Sequence, residues 1–118
     1  MLQKESFDKL AVRNRQGLFV ISLDEIIFIE KNLRKITIHT EEQQIEYYGK
    51  FSELIPHLDE RFLWCHRSYI INMDDIVVMT GQSIFLTNNQ PVFLGRDTFC
   101  KAKKLFESYL RKKRRIVS

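Results

Sequence analysis

The feature that most constrains the fold is a change of hydrophobic period near residue 95. Before it, apolar residues alternate or cluster in runs of four to six, separated by turn-forming pairs; after it, Phe99, Ala102, Phe106 and Tyr109, with Leu105 and Leu110, recur every three or four residues. The first pattern belongs to strands and the second to an amphipathic helix. Phe7 to Asn14 and Leu18 to Ser22 read as a hairpin turned by Arg15-Gln16-Gly17, whose glycine accepts a positive φ. Ile26 to Glu30 is a buried strand, interrupted beforehand by Asp24-Glu25. Lys35 to Thr40 alternates at period two and predicts a sheet with one wet face, and Glu41-Glu42-Gln43 returns the chain into Gln44 to Tyr48. After Gly49, Ser52 is placed to cap a brief helix through Leu58, with Pro56 tolerated near its start. Four further strands are predicted: Phe62 to His66, Ile76 to Thr80, Ser83 to Leu86 and Pro91 to Leu94, with Gly81-Gln82 and Asn88-Asn89 as turns. The expected fold is mainly β, with one short helix and a C-terminal amphipathic helix from Thr98.

A chain of 118 residues fits a single domain over residues 1–118. Its hydrophobic fraction of 44% excludes a disordered chain, and no apolar run approaches a membrane span. The start of the chain lacks a secretory signal, and Cys65 and Cys100 are too few for a disulfide framework, so a reducing cytoplasm is expected. Charge is uneven. From Lys101 to Ser118 there are eight basic residues against Glu107 alone, which leaves residues 1–100 with eleven basic against fourteen acidic, a net of −3. Only the C-terminal segment, with its basic tail at about 111–118, attracts polyanions by bulk charge; the alternative for that tail is a solvated helix face.

Enzymatic and metal chemistry find little support. Cys65 and His66 are adjacent, and neighbours on a regular strand point to opposite faces, so the expected arrangement is a buried thiol beside a partly exposed imidazole. No CxxC or HxxxH pair brings two donors to one centre, and no glycine-rich phosphate loop, GxSxG or DxDxDG pattern occurs. The pairs Asp24-Glu25, Glu41-Glu42 and Asp74-Asp75 fall at predicted turns and strand edges, where carboxylates discourage edge-to-edge pairing. No metal, cofactor or catalytic residue is assigned.

Three arginines stand at predicted strand ends. Arg34 lies in the polar connection Lys31-Asn32-Leu33-Arg34-Lys35, Arg67 follows His66, and Arg96 opens the last helix, where the dipole disfavours a cation. A guanidinium fork reads guanine or clamps phosphate in a bidentate manner; the plain alternative for Arg67 is a surface ion pair with Asp74 or Asp75.

The chain resembles the LytTR family of bacterial DNA-binding domains, the output modules of many two-component response regulators. The match is carried by Ile27-Phe28-Ile29-Glu30 running into Lys35 to His39, by Gln44 to Leu58 with its Tyr-Gly-x-x-x-Glu-Leu centre, and by Phe62 to Ile76 with its His-Arg-Ser-Tyr-Ile-Ile-Asn signature. Pro91 to Arg96 before a lysine-rich helix also fits. The resemblance implies an elongated, mainly antiparallel β fold that binds double-stranded DNA through loops entering successive major grooves. It implies groove contacts for Arg34 and Arg96 and a backbone or central contact for Arg67. Gly95 stands where the family often has serine, which removes one phosphate-binding hydroxyl, and Asn72 is read as turn-forming.

Together these readings predict a sequence-specific transcription regulator. Arg34 and Arg96 would read bases, while Lys31, Lys35, Lys50, Lys101, His66 and Arg67 would attract or position the backbone. Repeated half-sites and a homodimer formed on DNA are expected, with a receiver domain or sensor kinase as partner if the residues belong to a longer regulator. The alternative is a protein-interaction module that restrains a related DNA-binding regulator, motivated by the acidic excess before residue 101.

Overall fold

A computed structural model describes residues 8–113, 116 and 117. Phe7, Ser118 and the Arg114-Arg115 part of the basic tail lie outside the described residues. Among the described residues, ten strands form three antiparallel sheets. Strands β1 (Lys9–Asn14) and β2 (Gly17–Ser22) make the expected hairpin. Its two-residue loop is held by Asn14, whose Oδ1 accepts from the Gln16 amide at 2.8 Å, and by Gly17 at φ +150°. A central sheet runs β5-β4-β3-β7-β6, from β3 (Ile26–Asn32), β4 (Lys35–Thr40), β5 (Gln44–Tyr48), β6 (Phe62–His66) and β7 (Tyr69–Asn72). A third sheet orders β10 (Pro91–Phe93), β9 (Ser83–Leu86) and β8 (Ile76–Thr80). Helices α1 (Phe51–Leu54) and α2 (Arg96–Lys113) complete the domain.

The central sheet is covered on both faces, giving two cores. On one side Ile29, Ile36, Ile38, Ile45 and Ile70 pack with Leu10, Val12 and Ile21 of the hairpin and with Phe51 and Leu54 of α1. On the other, Ile27, Phe28, Leu63 and Ile71 meet Ile84, Leu86 and Val92 of the third sheet and Phe99, Ala102 and Tyr109 of α2. Strand β3 feeds both layers because its register shifts between Ile26 and Phe28, so that Ile27 and Phe28 join the same side. Each fully buried aliphatic side chain here stabilises the fold by about 1.5 to 3 kcal/mol.

This second layer overturns the expected wet face of β4. Thr37 and His39 are buried; the His39 ring stacks on Phe28 at 4.2 Å, and its Nε2 lies 2.5 Å from a Glu30 carboxylate oxygen. Burial of a polar ring is tolerated because that hydrogen bond is made.

The sequence reading passes over β7, which fills the gap between β3 and β6. Asn72 closes that strand and is turn-forming as read: its Oδ1 accepts from the Asp74 amide, while its Nδ2 donates to the Ile26 carbonyl at 2.8 Å. Ser52 is not a cap. Lys50 occupies that position without a side-chain bond, and the segment is one α turn followed by a 3-10 turn over Ile55–His57 containing Pro56. Helix α2 starts two residues before Thr98, with the Phe99 amide donating to Gly95 at 2.8 Å, and Leu105 faces solvent rather than the core. Among the described residues, no helix is long and apolar enough to cross a membrane.

Candidate nucleic-acid interface

Strand directions in the central sheet collect its turns at two ends. At one end lie the β3–β4 turn, Leu33-Arg34, and the β6–β7 turn, Arg67-Ser68, together with Gly49 and Lys50 after β5. They are tied together through the backbone: the Lys31 amide donates to the Ser68 carbonyl at 2.9 Å and the Gly49 amide to the Arg34 carbonyl at 3.0 Å. Arg34 and Arg67, thirty-odd positions apart in sequence, thereby share one end of one sheet. The connection carrying Arg34 is shorter than the sequence suggests, because Asn32 and Lys35 are already paired strand residues.

The opposite end is acidic. It holds the 3-10 turns Leu23–Glu25 and Met73–Asp75, the Glu41-Glu42-Gln43 turn and the Asp59-to-Arg61 approach to β6. Ser22 and Glu25 form a capping box around the first of these. Arg61 is enclosed by carboxylates, bonded to both Asp59 oxygens and to Asp24. Those bonds, Asp59 first and Asp24 after it, push its already high pKa further up against the opposing effect of burial. Burial alone would raise the Asp59 carboxyl, yet the hydrogen bonds and charge of Arg61 outweigh it and hold Asp59 below its usual value. Asp75 moves the other way, raised mainly by burial and further by Asp74 and Glu41, despite the Thr87 bond.

The plain alternative for Arg67 fails on this geometry. Asp74 accepts from the Tyr109 hydroxyl at 2.7 Å and Asp75 from Thr87 at 3.2 Å, both at the far end of the β6–β7 hairpin. Arg34, Arg67, Arg96 and Lys101 are all exposed, and none enters an ion pair among the described residues.

Helix α2 packs against β6. Its last turns are anchored at the acidic end by Tyr109 on Asp74 and by Lys113 on Glu60 at 3.7 Å. Burial, the bond to Asp74 and that carboxylate's charge all raise the Tyr109 phenol, keeping it a donor. The thirteen residues back to Arg96 span about 20 Å of helix packed on β6, which carries Arg96 and Lys101 away from that anchor. Arg111, Lys112 and Lys113 sit in the last turn, where cations suit the helix dipole.

Other predicted residues are partly committed to the fold. Lys31 holds its ammonium 5.3 Å from the Phe51 ring centre, and Lys35 lies 3.7 Å from Glu46. His66 ends β6; its Nδ1 accepts from the Ser68 amide at 3.0 Å, shaping the turn that presents Arg67 and leaving Nε2 as the proton-bearing nitrogen of the neutral ring. The expectation that Cys65 and His66 point to opposite faces is wrong, because the ladder shifts between Trp64 and His66. Both lie on the side of Tyr69, whose ring is 5.5 Å from that of His66. Burial pushes the Cys65 thiol up to about 12, so it stays protonated and unreactive at neutral pH. The sequence reading also passes over Tyr48, exposed beside Arg34, although the alternation Gln44, Glu46, Tyr48 already assigns it to solvent.

Comparison with known proteins agrees with this architecture. The family model described as LytTr DNA-binding domain matches residues 16–107. The chain is 35% identical over 98 residues to Accessory gene regulator protein A of Staphylococcus epidermidis, covering 79% of this chain and 41% of that protein. Against Accessory gene regulator protein A of Staphylococcus aureus it is 30% identical over 79 residues, 64% of this chain and 33% of the relative. It thus spans about two-fifths or less of the curated relatives it matches. A solved LytTr DNA-binding domain from Bacillus cereus superposes with a TM-score of 0.71 at 19% identity, over 83% of this chain and 95% of that one, a likeness of fold. With the three-sheet architecture matched in space and most of the chain matched in sequence, this protein belongs to the family of LytTr DNA-binding domains.

Proposed function

We propose that this domain is the DNA-reading part of a bacterial transcription regulator and that it recognises a specific duplex through its arginine turns. The observation that carries the proposal is a sorting of charge between the two ends of the central sheet: Arg34 and Arg67 stand exposed on tight turns at one end, without ion pairs among the described residues, while Asp24, Asp59, Asp74, Asp75 and the Glu41-Glu42 pair collect at the other, where Arg61 neutralises part of them. Anionic DNA is attracted to the first and repelled by the second, which orients the domain before any base is read. Arg34 and Arg96 enter neighbouring major grooves and contact base edges; Arg67, between them, holds the backbone, aided by Lys50 and Lys101. The Cα atoms extend over 44 × 42 × 25 Å, and the long dimensions exceed the roughly 34 Å repeat of the duplex, which supports contact with successive grooves.

One domain offers few base contacts, so binding as a pair on repeated half-sites follows. In a longer regulator a receiver domain answering a sensor kinase would supply control, in the cytoplasm where the DNA lies. The test is fluorescence anisotropy at stated salt on duplexes selected from a random pool. Arg34→Ala or Arg96→Ala should cost about 1 to 3 kcal/mol on selected duplex and much less on random duplex. Equal losses on both would reject base reading. A domain that shifts no duplex at modest salt would instead act by restraining a related regulator.

A further inference from the structure

Leu33, at the arginine end, is a residue whose presence the fold does not explain. It is the first of two loop residues between the paired Asn32 and Lys35, and its φ is +60° while that of Arg34 is not positive. That sign pattern belongs to a hairpin turn whose first position glycine ordinarily fills, and asparagine is the side chain that tolerates it best. Leucine is strained there. It is also 88% exposed and takes no part in either hydrophobic core. The turn itself is held by backbone bonds at Lys31 and Gly49, which need no leucine side chain. An apolar residue in a strained backbone, with no packing gained inside the domain, points to a contact made outside it.

The surroundings narrow the chemistry of that contact. Leu33 shares a shallow recess with Asn32, Arg34, Lys35 and Tyr48, the last 76% exposed. An apolar pair is thus framed by two cations. On a DNA major groove the apolar group offered by a base edge is the 5-methyl of thymine, and the minor groove offers none. Resting on the DNA-reading function above, we propose that Leu33 packs on a thymine 5-methyl next to the base contacted by Arg34, and so selects a T·A pair that a hydrogen-bonding side chain would not.

The experiment replaces each thymine of a selected duplex in turn by deoxyuridine, which pairs identically and lacks the methyl. Wild type should lose about fourfold in affinity at one position per half-site, the effect of withdrawing one methyl from apolar contact. Leu33→Asn should bind thymine and uracil duplexes equally, while its thermal unfolding temperature stays the same or rises; Leu33→Gly serves as the second variant should Asn fold poorly. Arg34→Ala should weaken both duplexes and keep their ratio. The inference falls if wild type shows no thymine preference at any position, or if both Leu33 variants retain it. Loss of the DNA-reading function itself is separately visible, as wild type failing to prefer selected over random duplex, and it would overturn this inference as well.

Discussion

The two ends of the central sheet are made from the same part, a short reversal between antiparallel strands, and they treat charge in opposite ways. At the acidic end each reversal is closed by side chains: Ser22 and Glu25 cap one turn, Asn72 caps another, and Arg61 is held between Asp59 and Asp24. At the arginine end the reversals are closed by backbone bonds and His66, so the guanidinium groups are left to solvent. The lesson is that a cation's role follows from its neighbours in space. Arg61 stabilises the scaffold because carboxylates surround it, while Arg34 and Arg67 form no ion pair among the described residues.

This contrast can be broken from either side. The largest effect should come from Asn72→Ala, which removes a cap and leaves the buried Ile26 carbonyl without its donor. It should destabilise the domain by about 2 to 4 kcal/mol in urea unfolding, without changing the duplex preference of the folded fraction. Next come the exposed arginines. Arg67→Ala, as a backbone contact, should weaken selected and random duplexes alike and lower the slope of log affinity against log salt by about one, unlike Arg34→Ala.

Arg61→Ala should cost about 1 kcal/mol or less and alter acid sensitivity, with DNA binding unchanged. Asp59 is held below its usual value, so its contribution is full above the unfolded carboxylate pKa and is lost as pH falls through the depressed folded value. Without Arg61, that part of the acid-dependent loss should disappear from denaturation curves recorded between pH 5 and 2. Asp75 has the opposite sign: its raised value means that stability is lost as pH rises through it, so Asp75→Asn should be neutral to slightly stabilising at pH 7. The smallest effect is expected at Lys113. Its pair with Glu60 is exposed, and about 25 Å of helix separates it from Arg96, several Debye lengths at physiological salt. Lys113→Ala should change stability by under about 0.5 kcal/mol and leave duplex affinity unchanged; a large loss of affinity would place the basic tail on DNA after all.

Much of the scaffold was legible because its signals are local. The Gly81-Gln82 turn, the Lys35-to-Thr40 alternation and the three-to-four spacing from Phe99 to Tyr109 each lie within a few residues, and each marks the element found there. Strand β7 was not legible. Tyr69 to Asn72 is short and lacks alternation, and it is a strand because β3 and β6 flank it on both sides. The burial of Thr37 and His39 was hidden for a related reason, since the layer that covers them arrives from residues far along the chain. The side of Cys65 relative to His66 depended on a one-residue bulge, which has no sequence signature here.

By itself, then, the order of amino acids determined which segments become strands or helices and which positions carry guanidinium, carboxylate or apolar groups. Periodicity and turn chemistry act between near neighbours, so they can be read along the chain. Only the tertiary structure decided that Arg61 would be neutralised, that Arg34 and Arg67 would share an end, and that the acidic pairs would collect opposite them. Coulomb energy and packing depend on separation in space, and antiparallel strand order, rather than distance along the chain, sets that separation.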